Sequence, residues 1–146
     1  MEFALVAVVF LTLVLGLVDL GRAVMLYNTV ATAAEEGARF GSVLRDPTWG
    51  TGLFGNDGNR AGVYSGIAGY LQTTYEDTIV GQVARRCQAL DPGKTTVDIS
   101  VSGISGSPGR GDTLTVKVSQ TFDPVAGRLL HVGSFSVSAT ASVYME

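Results

Sequence analysis

The chain has 146 residues, enough for one domain beyond any extended helix. Net charge is −3 and the ten Lys and Arg residues are dispersed, which excludes the basic stripe of a nucleic-acid binder; Arg85-Arg86 reads as a solvated helix face. One cysteine, Cys87, excludes an intrachain disulfide, and one histidine, His131, excludes a histidine-based metal cluster.

Residues 2–41 read as one helix with two characters. Residues 3–18 (FALVAVVFLTLVLGLV) are apolar on every side, whereas the following turns bring in Asn28, Thr32, Glu35, Glu36 and Arg39. A helix that is apolar all round and then amphipathic has to occupy two environments. The apolar run of 16 residues spans about 24 Å at 1.5 Å per residue, slightly short of the roughly 20 residues a bilayer asks for. Continuing to Tyr27 supplies the length and brings Asp19 and Arg22, spaced i, i+3, to the lipid boundary, where paired charges mark contact with protein. An acidic Met1-Glu2 start and helix-forming sequence beyond the run argue against a cleaved signal peptide.

The helix is expected to stop between Gly41 and Arg45, since Asp46-Pro47 is a helix-ending pair. Ala34, Gly37, Ala38 and Gly41 form a small-residue stripe at i, i+3, i+4 and i+7, which admits another backbone closely. Each interior glycine costs a helix about 1 kcal/mol relative to alanine, so a packing reason is expected. Residues 46–59 (DPTWGTGLFGNDGN) are a loop, with Trp49, Leu53 and Phe54 available to pin it and Asp57 in a turn instead of a calcium site. Residues 60–90 carry a weak helical period, with stripes Val63, Ile67, Tyr70, Leu71 and Ile79, Val83, Leu90, a break at Thr73-Thr74, and a close at Asp91-Pro92-Gly93. Cys87 is expected as a buried or idle thiol, with an interchain bridge as the alternative.

The last third, residues 95–146, is strand. Val97, Ile99, Val101, then Leu114, Val116, Val118, then Phe135, Val137, Ala139, Ala141, Val143 each alternate with polar residues. Period 2 with one polar face predicts an antiparallel sheet wet on one side, and the second half of the long helix is the available cover. Residues 103–111 form the first turn and residues 123–133 a longer connection. The expected fold class is therefore α+β: a long N-terminal helix packed on a small C-terminal antiparallel sheet, with further helix between. Residues 1–27 form the apolar membrane or filament-core helix and residues 28–146 the globular domain.

Little points to catalysis. His131 lies among Leu129, Leu130 and Val132 and has no nucleophile partner; Gly93-Lys94-Thr95 lacks the first glycine of a phosphate loop and follows a helix. Arg110-Gly111-Asp112 falls in a Gly/Pro-rich turn, where such a tripeptide arises by chance. No catalytic residue, cofactor site or metal site is assigned.

The opening Glu2-Phe3-Ala4-Leu5-Val6, then Gly16-Leu17-Val18-Asp19-Leu20-Gly21-Arg22-Ala23 and Ala34-Glu35-Glu36-Gly37-Ala38-Arg39-Phe40-Gly41, resemble the TadE-like pilins, subunits of the tight-adherence branch of type IV pili. The resemblance covers about 40 N-terminal residues closely and fits the Val/Ser/Ala strands of the tail. It implies a subunit held in the inner membrane by its apolar helix, cut by a prepilin peptidase and added by the pilus assembly machinery to a surface filament of like chains or other pilins. It also implies a role for Glu2, neutralising the terminal amine of a neighbour. The chain departs from the pilin pattern in two places. Met1 alone precedes Glu2, and Ala7-Val8-Val9 stands where the family's apolar segment commonly carries proline. Residues expected at subunit interfaces are Glu2, Phe3, Phe10, Asp19, Arg22, Ala34, Gly37, Ala38 and Gly41. The alternative is a single-pass anchored envelope, adhesion or secretion component that does not polymerise.

Overall fold

The structure, a computed structural model, describes residues 2–43, 62–71, 78–102, 111–130 and 133–145. Helix α1 spans Glu2–Val43, 42 residues or about 63 Å. Its threonines close their hydroxyls onto the helix itself: Thr12 Oγ1 donates to the Val8 carbonyl at 2.8 Å, and Thr29 and Thr32 donate to Met25 and Asn28. That leaves the one polar side chain of the apolar run needing no outside partner.

Among the described residues four strands follow: β1 (Gly62–Ser65), β2 (Thr95–Ser102), β3 (Thr113–Phe122) and β4 (Phe135–Tyr144). They make one antiparallel sheet in the order β1-β2-β3-β4. The register sets Val97 against Val118, Ile99 against Val116, Val116 against Ala141 and Val118 against Ala139, so all apolar positions share a face. On the wet face Asp98 stands opposite Lys117, and the Thr115 and Ser142 hydroxyls meet at 3.0 Å. The predicted one-sided sheet and its helical cover are both present.

The cover has two parts. Residues 19–43 of α1 lie over β3 and β4, and α2 (Ile79–Arg86) packs beside them. Helix α2 begins where the Thr78 hydroxyl accepts the Gly81 N–H at 3.0 Å and ends on Arg85 and Arg86, which complement its dipole. The core between the layers is Val30, Ala33, Ala34 and Ala38 of α1, Ile79, Val80 and Val83 of α2, and Val97, Ile99, Leu114, Val116 and Val118 of the sheet, all essentially inaccessible to solvent. Cys87 is buried in the same core.

Two expectations change. Residues 62–65 form strand β1 instead of the start of a helix. Gly62 and Gly66 weaken any helix there, Gly66 takes a φ of 67°, and the exposed edge of β2 supplies the pairing Gly62–Ile99 to Ser65–Thr96. The connection at 123–133 contains a short helix, α3 (Val125–Leu130). The Asp91-Pro92-Gly93 stop is a 3-10 turn, Pro92–Lys94, capped by the Asp91 carboxylate on the Gly93 N–H at 3.1 Å. The predicted loop 46–59 with Trp49, Leu53, Phe54 and Asp57, the break at Thr73-Thr74, most of the turn 103–111 and His131 lie outside the described residues.

Candidate functional site: the divided helix

The side chains of residues 3–18 are open to solvent or nearly so, with Phe3 85% and Phe10 65% exposed. The first buried residue of α1 among those described is Asp19. From there the buried positions run 19, 26, 30, 33, 34, 37, 38 and 41, the 3-4 spacing of a helix laid on a flat layer.

Asp19 holds this junction. Its Oδ2 accepts the Ala126 N–H of α3 at 2.7 Å, across 107 residues of sequence, and its Oδ1 accepts from Arg22 at 3.3 Å. The Arg22 guanidinium lies 5.5 Å from the centre of the Phe122 ring, which is in turn 5.2 Å from the Phe135 ring. The predicted pair Asp19–Arg22 therefore exists, and its carboxylate is engaged by this chain's own α3. Sequence reasoning missed Ala126 and Phe122 as its partners; a cap supplied from so far along the chain leaves no local signal.

The small-residue stripe is also engaged within the chain. A Cβ on Gly37 would come within 2.7 Å of Val83 Cγ2, and one on Gly41 within 2.8 Å of Ile79 Cδ1 and closer still to Leu114. Ala34 and Ala38 are buried in the same seam. The expected close backbone approach is real, but α2 and β3 of the same chain make it. All four residues are buried within the chain itself, and this packing accounts for their small size. Glu2 is the first residue of α1, and Phe3 and Phe10 stand on its bare half.

Beside the junction, a groove of about 410 Å³ lies between α1 and the end of β3, bordered by Arg22, Leu26, Leu90, Lys94 and Asp123. Its charges are matched internally. Lys94 donates to Asp123 at 2.6 Å, and that carboxylate, with Asp91 more weakly, raises the lysine above its ordinary range. Burial alone pushes the Cys87 thiol up to about 11, the opposite of an activated nucleophile. Among the described residues no three His, Cys, Asp or Glu side chains come together as a metal site.

Helix α1 as a whole is long and apolar enough to cross a membrane, by length and composition. Neither a curated protein nor a solved structure matches the chain. The family model described as TadE-like protein matches residues 1–39, the bare half of α1 and most of its embedded half. Over that stretch of helix the chain is similar to TadE-like proteins.

Proposed function

We propose that this chain is a structural subunit of a tight-adherence type IV pilus-like filament, assembled through residues 3–18 and held by them in the inner membrane beforehand. One observation carries the reading: an apolar helix bare on every side continues without a break into one embedded in a folded domain. As a cylinder about 24 Å long and 11 Å across, the bare half presents on the order of 800 Å². A soluble monomer's largest apolar patch is about 300–600 Å². Such a surface has to be covered by lipid or by other helices.

In lipid the helix is self-sufficient, since its backbone and Thr12 are bonded internally. In a filament the same surface packs against the bare halves of other subunits, with Phe3 and Phe10 among the contacts and Glu2 facing a neighbour's terminal amine. A head-to-tail contact of this kind does not close on itself and grows a helical filament. The domains then form a sleeve outside the helical core. Prepilin peptidase, the pilus assembly machinery and other pilins are the partners this role requires.

The test is Val9→Asp in the full chain, followed by immunogold electron microscopy of sheared surface material. Wild-type chain on thin regular fibres, and the variant folded but missing from them, is the expected result. Normal fibres containing Val9→Asp would refute the proposal, and wild-type chain found solely as a membrane-bound monomer would favour a non-polymerising anchor.

A further inference from the structure

The bare run of α1 is too short for a bilayer by itself. Its 16 residues rise about 24 Å against a hydrocarbon thickness of about 30 Å. The next residue is a carboxylate, which in an ordinary anchor would mark the point where the helix enters water. Here that carboxylate requires no water, because Ala126 N–H and Arg22 occupy both its oxygens. Asp19 is also shielded by the domain, at 6% exposure.

Apolar side chains stand open around Asp19, on the side away from the groove of Arg22, Lys94 and Asp123. Leu20 is 62% exposed; Val125, which begins α3 one residue before Ala126, is 50% exposed; Phe135, at the start of β4, is 48% exposed. These belong to three separate stretches of chain that meet where α1 leaves the domain, tied by the Asp19–Ala126 bond and the Phe122–Phe135 contact. The opposite end of the sheet lies up the helix: Leu114, paired with Val143, packs at Gly41. The sheet therefore runs along α1, and the Val125–Phe135 end is the one that faces the bilayer when residues 3–18 are inserted.

We propose that this end of the domain is seated in the membrane interface. On this view Leu20, Val125 and Phe135 dip into the boundary between headgroups and acyl chains and make up the missing length of the span. Arg22, whose side chain is half-exposed, keeps its guanidinium over Phe122 and bonded to Asp19 through Nη1, and offers its remaining N–H groups to lipid phosphate. Aromatic and aliphatic side chains at this depth, flanked by a cation, are what a bilayer interface accepts. A span shorter than its bilayer is otherwise accommodated by thinning the lipid, at a cost that grows with each ångström. The partner is a phospholipid bilayer, and the inference rests on the membrane-held stage of the proposed function.

The experiment uses the full chain in phosphatidylcholine–phosphatidylglycerol vesicles carrying brominated lipids. Trp49 is the sole tryptophan, so a Trp49→Phe background leaves one reporter per variant. Phe10→Trp reports the span, Val125→Trp and Phe135→Trp the seated end, and Tyr144→Trp the far end of β4, where the tyrosine is 73% exposed. Expected are deep quenching for Phe10→Trp, a blue shift with loss of emission to bromines near the headgroups for Val125→Trp and Phe135→Trp, and water-like emission for Tyr144→Trp. Quenched Phe10→Trp with Val125→Trp and Phe135→Trp emitting like Tyr144→Trp would overturn the seating and leave the anchor intact. Unquenched Phe10→Trp would overturn both.

Discussion

Residues 3–18 and residues 19–43 belong to one unbroken helix, yet glycine has opposite meanings in its two parts. Gly16 and Gly21, in the bare half and at its edge, have nothing within 4 Å of where a Cβ would stand. Gly37 and Gly41 have no room for one. The bare half is defined by composition alone and can exchange one apolar surrounding for another. The embedded half is defined by shape, fitted to α2 and β3 side chain by side chain. A helix so divided can change its environment at one end while the domain at the other keeps its fold.

The largest effect should come from charge in the bare half. An Asp near the centre of a spanning helix costs about 2.5–3.5 kcal/mol of insertion. Val9→Asp is therefore expected to reduce membrane incorporation and abolish assembly while the domain's thermal unfolding stays at the wild-type temperature. A lowered unfolding temperature would mean that the two halves are not independent.

Alanine at the glycines sharpens the comparison. Val83 is β-branched with a stiff χ1 in α2, so Gly37→Ala forces a clash that it cannot easily relieve. Overpacking of about 1–3 kcal/mol against a helix-propensity gain of about 1 kcal/mol leaves a net loss of roughly 0–2 kcal/mol, with the upper end expected where the neighbour is stiff. Gly21→Ala meets nothing and should gain up to about 1 kcal/mol. Denaturant melts of the two variants should shift in opposite directions; shifts of the same sign would erase the distinction between open and fitted positions on the helix.

At the junction, Asp19→Ala removes the acceptor of a buried backbone N–H. It should lower the unfolding temperature, and Asp19→Asn, which keeps an acceptor but loses the charge, should recover part of that. Equal stability of all three proteins would show that the α3 contact does not hold the domain to the helix.

The smallest effect is a pH dependence. The Cys87 thiol sits at about 11 in the fold against an ordinary value of 9.0, so the native state keeps its proton longer than the unfolded chain. Its contribution to stability is full below pH 9 and is lost as pH rises through 11. Cys87→Ala should remove that part of the decline in urea melts between those pH values. At pH 8 the native thiol should also react with iodoacetamide about a hundredfold more slowly than the unfolded chain, from thiolate fraction alone.

Much of this division can be read from residues. The apolar run and the alternation of β2, β3 and β4 are local patterns, and each element has the form its period demands. Strand β1 was not legible because four residues flanked by glycine have no period of their own; the edge of β2 makes them a strand. Helix α3 escaped notice for a related reason, being six residues long with an Asp19 contact from the far end of the chain. The stripe Ala34, Gly37, Ala38, Gly41 announced a close approach correctly, but a row of small residues carries no label saying whose backbone arrives. Once α2 and β3 take that place, the surface of the helix left uncovered is the run from Phe3 to Val18.

The most direct test of the filament reading is a single-cysteine crosslink in the fibres themselves. Phe10→Cys in a Cys87→Ala background carries its only thiol in the middle of the bare half. In sheared fibres a short bismaleimide should join chain to chain through position 10, while a membrane-impermeant maleimide leaves it unlabelled. A thiol at position 10 that is freely labelled in intact fibres and never crosslinked would contradict assembly through this helix.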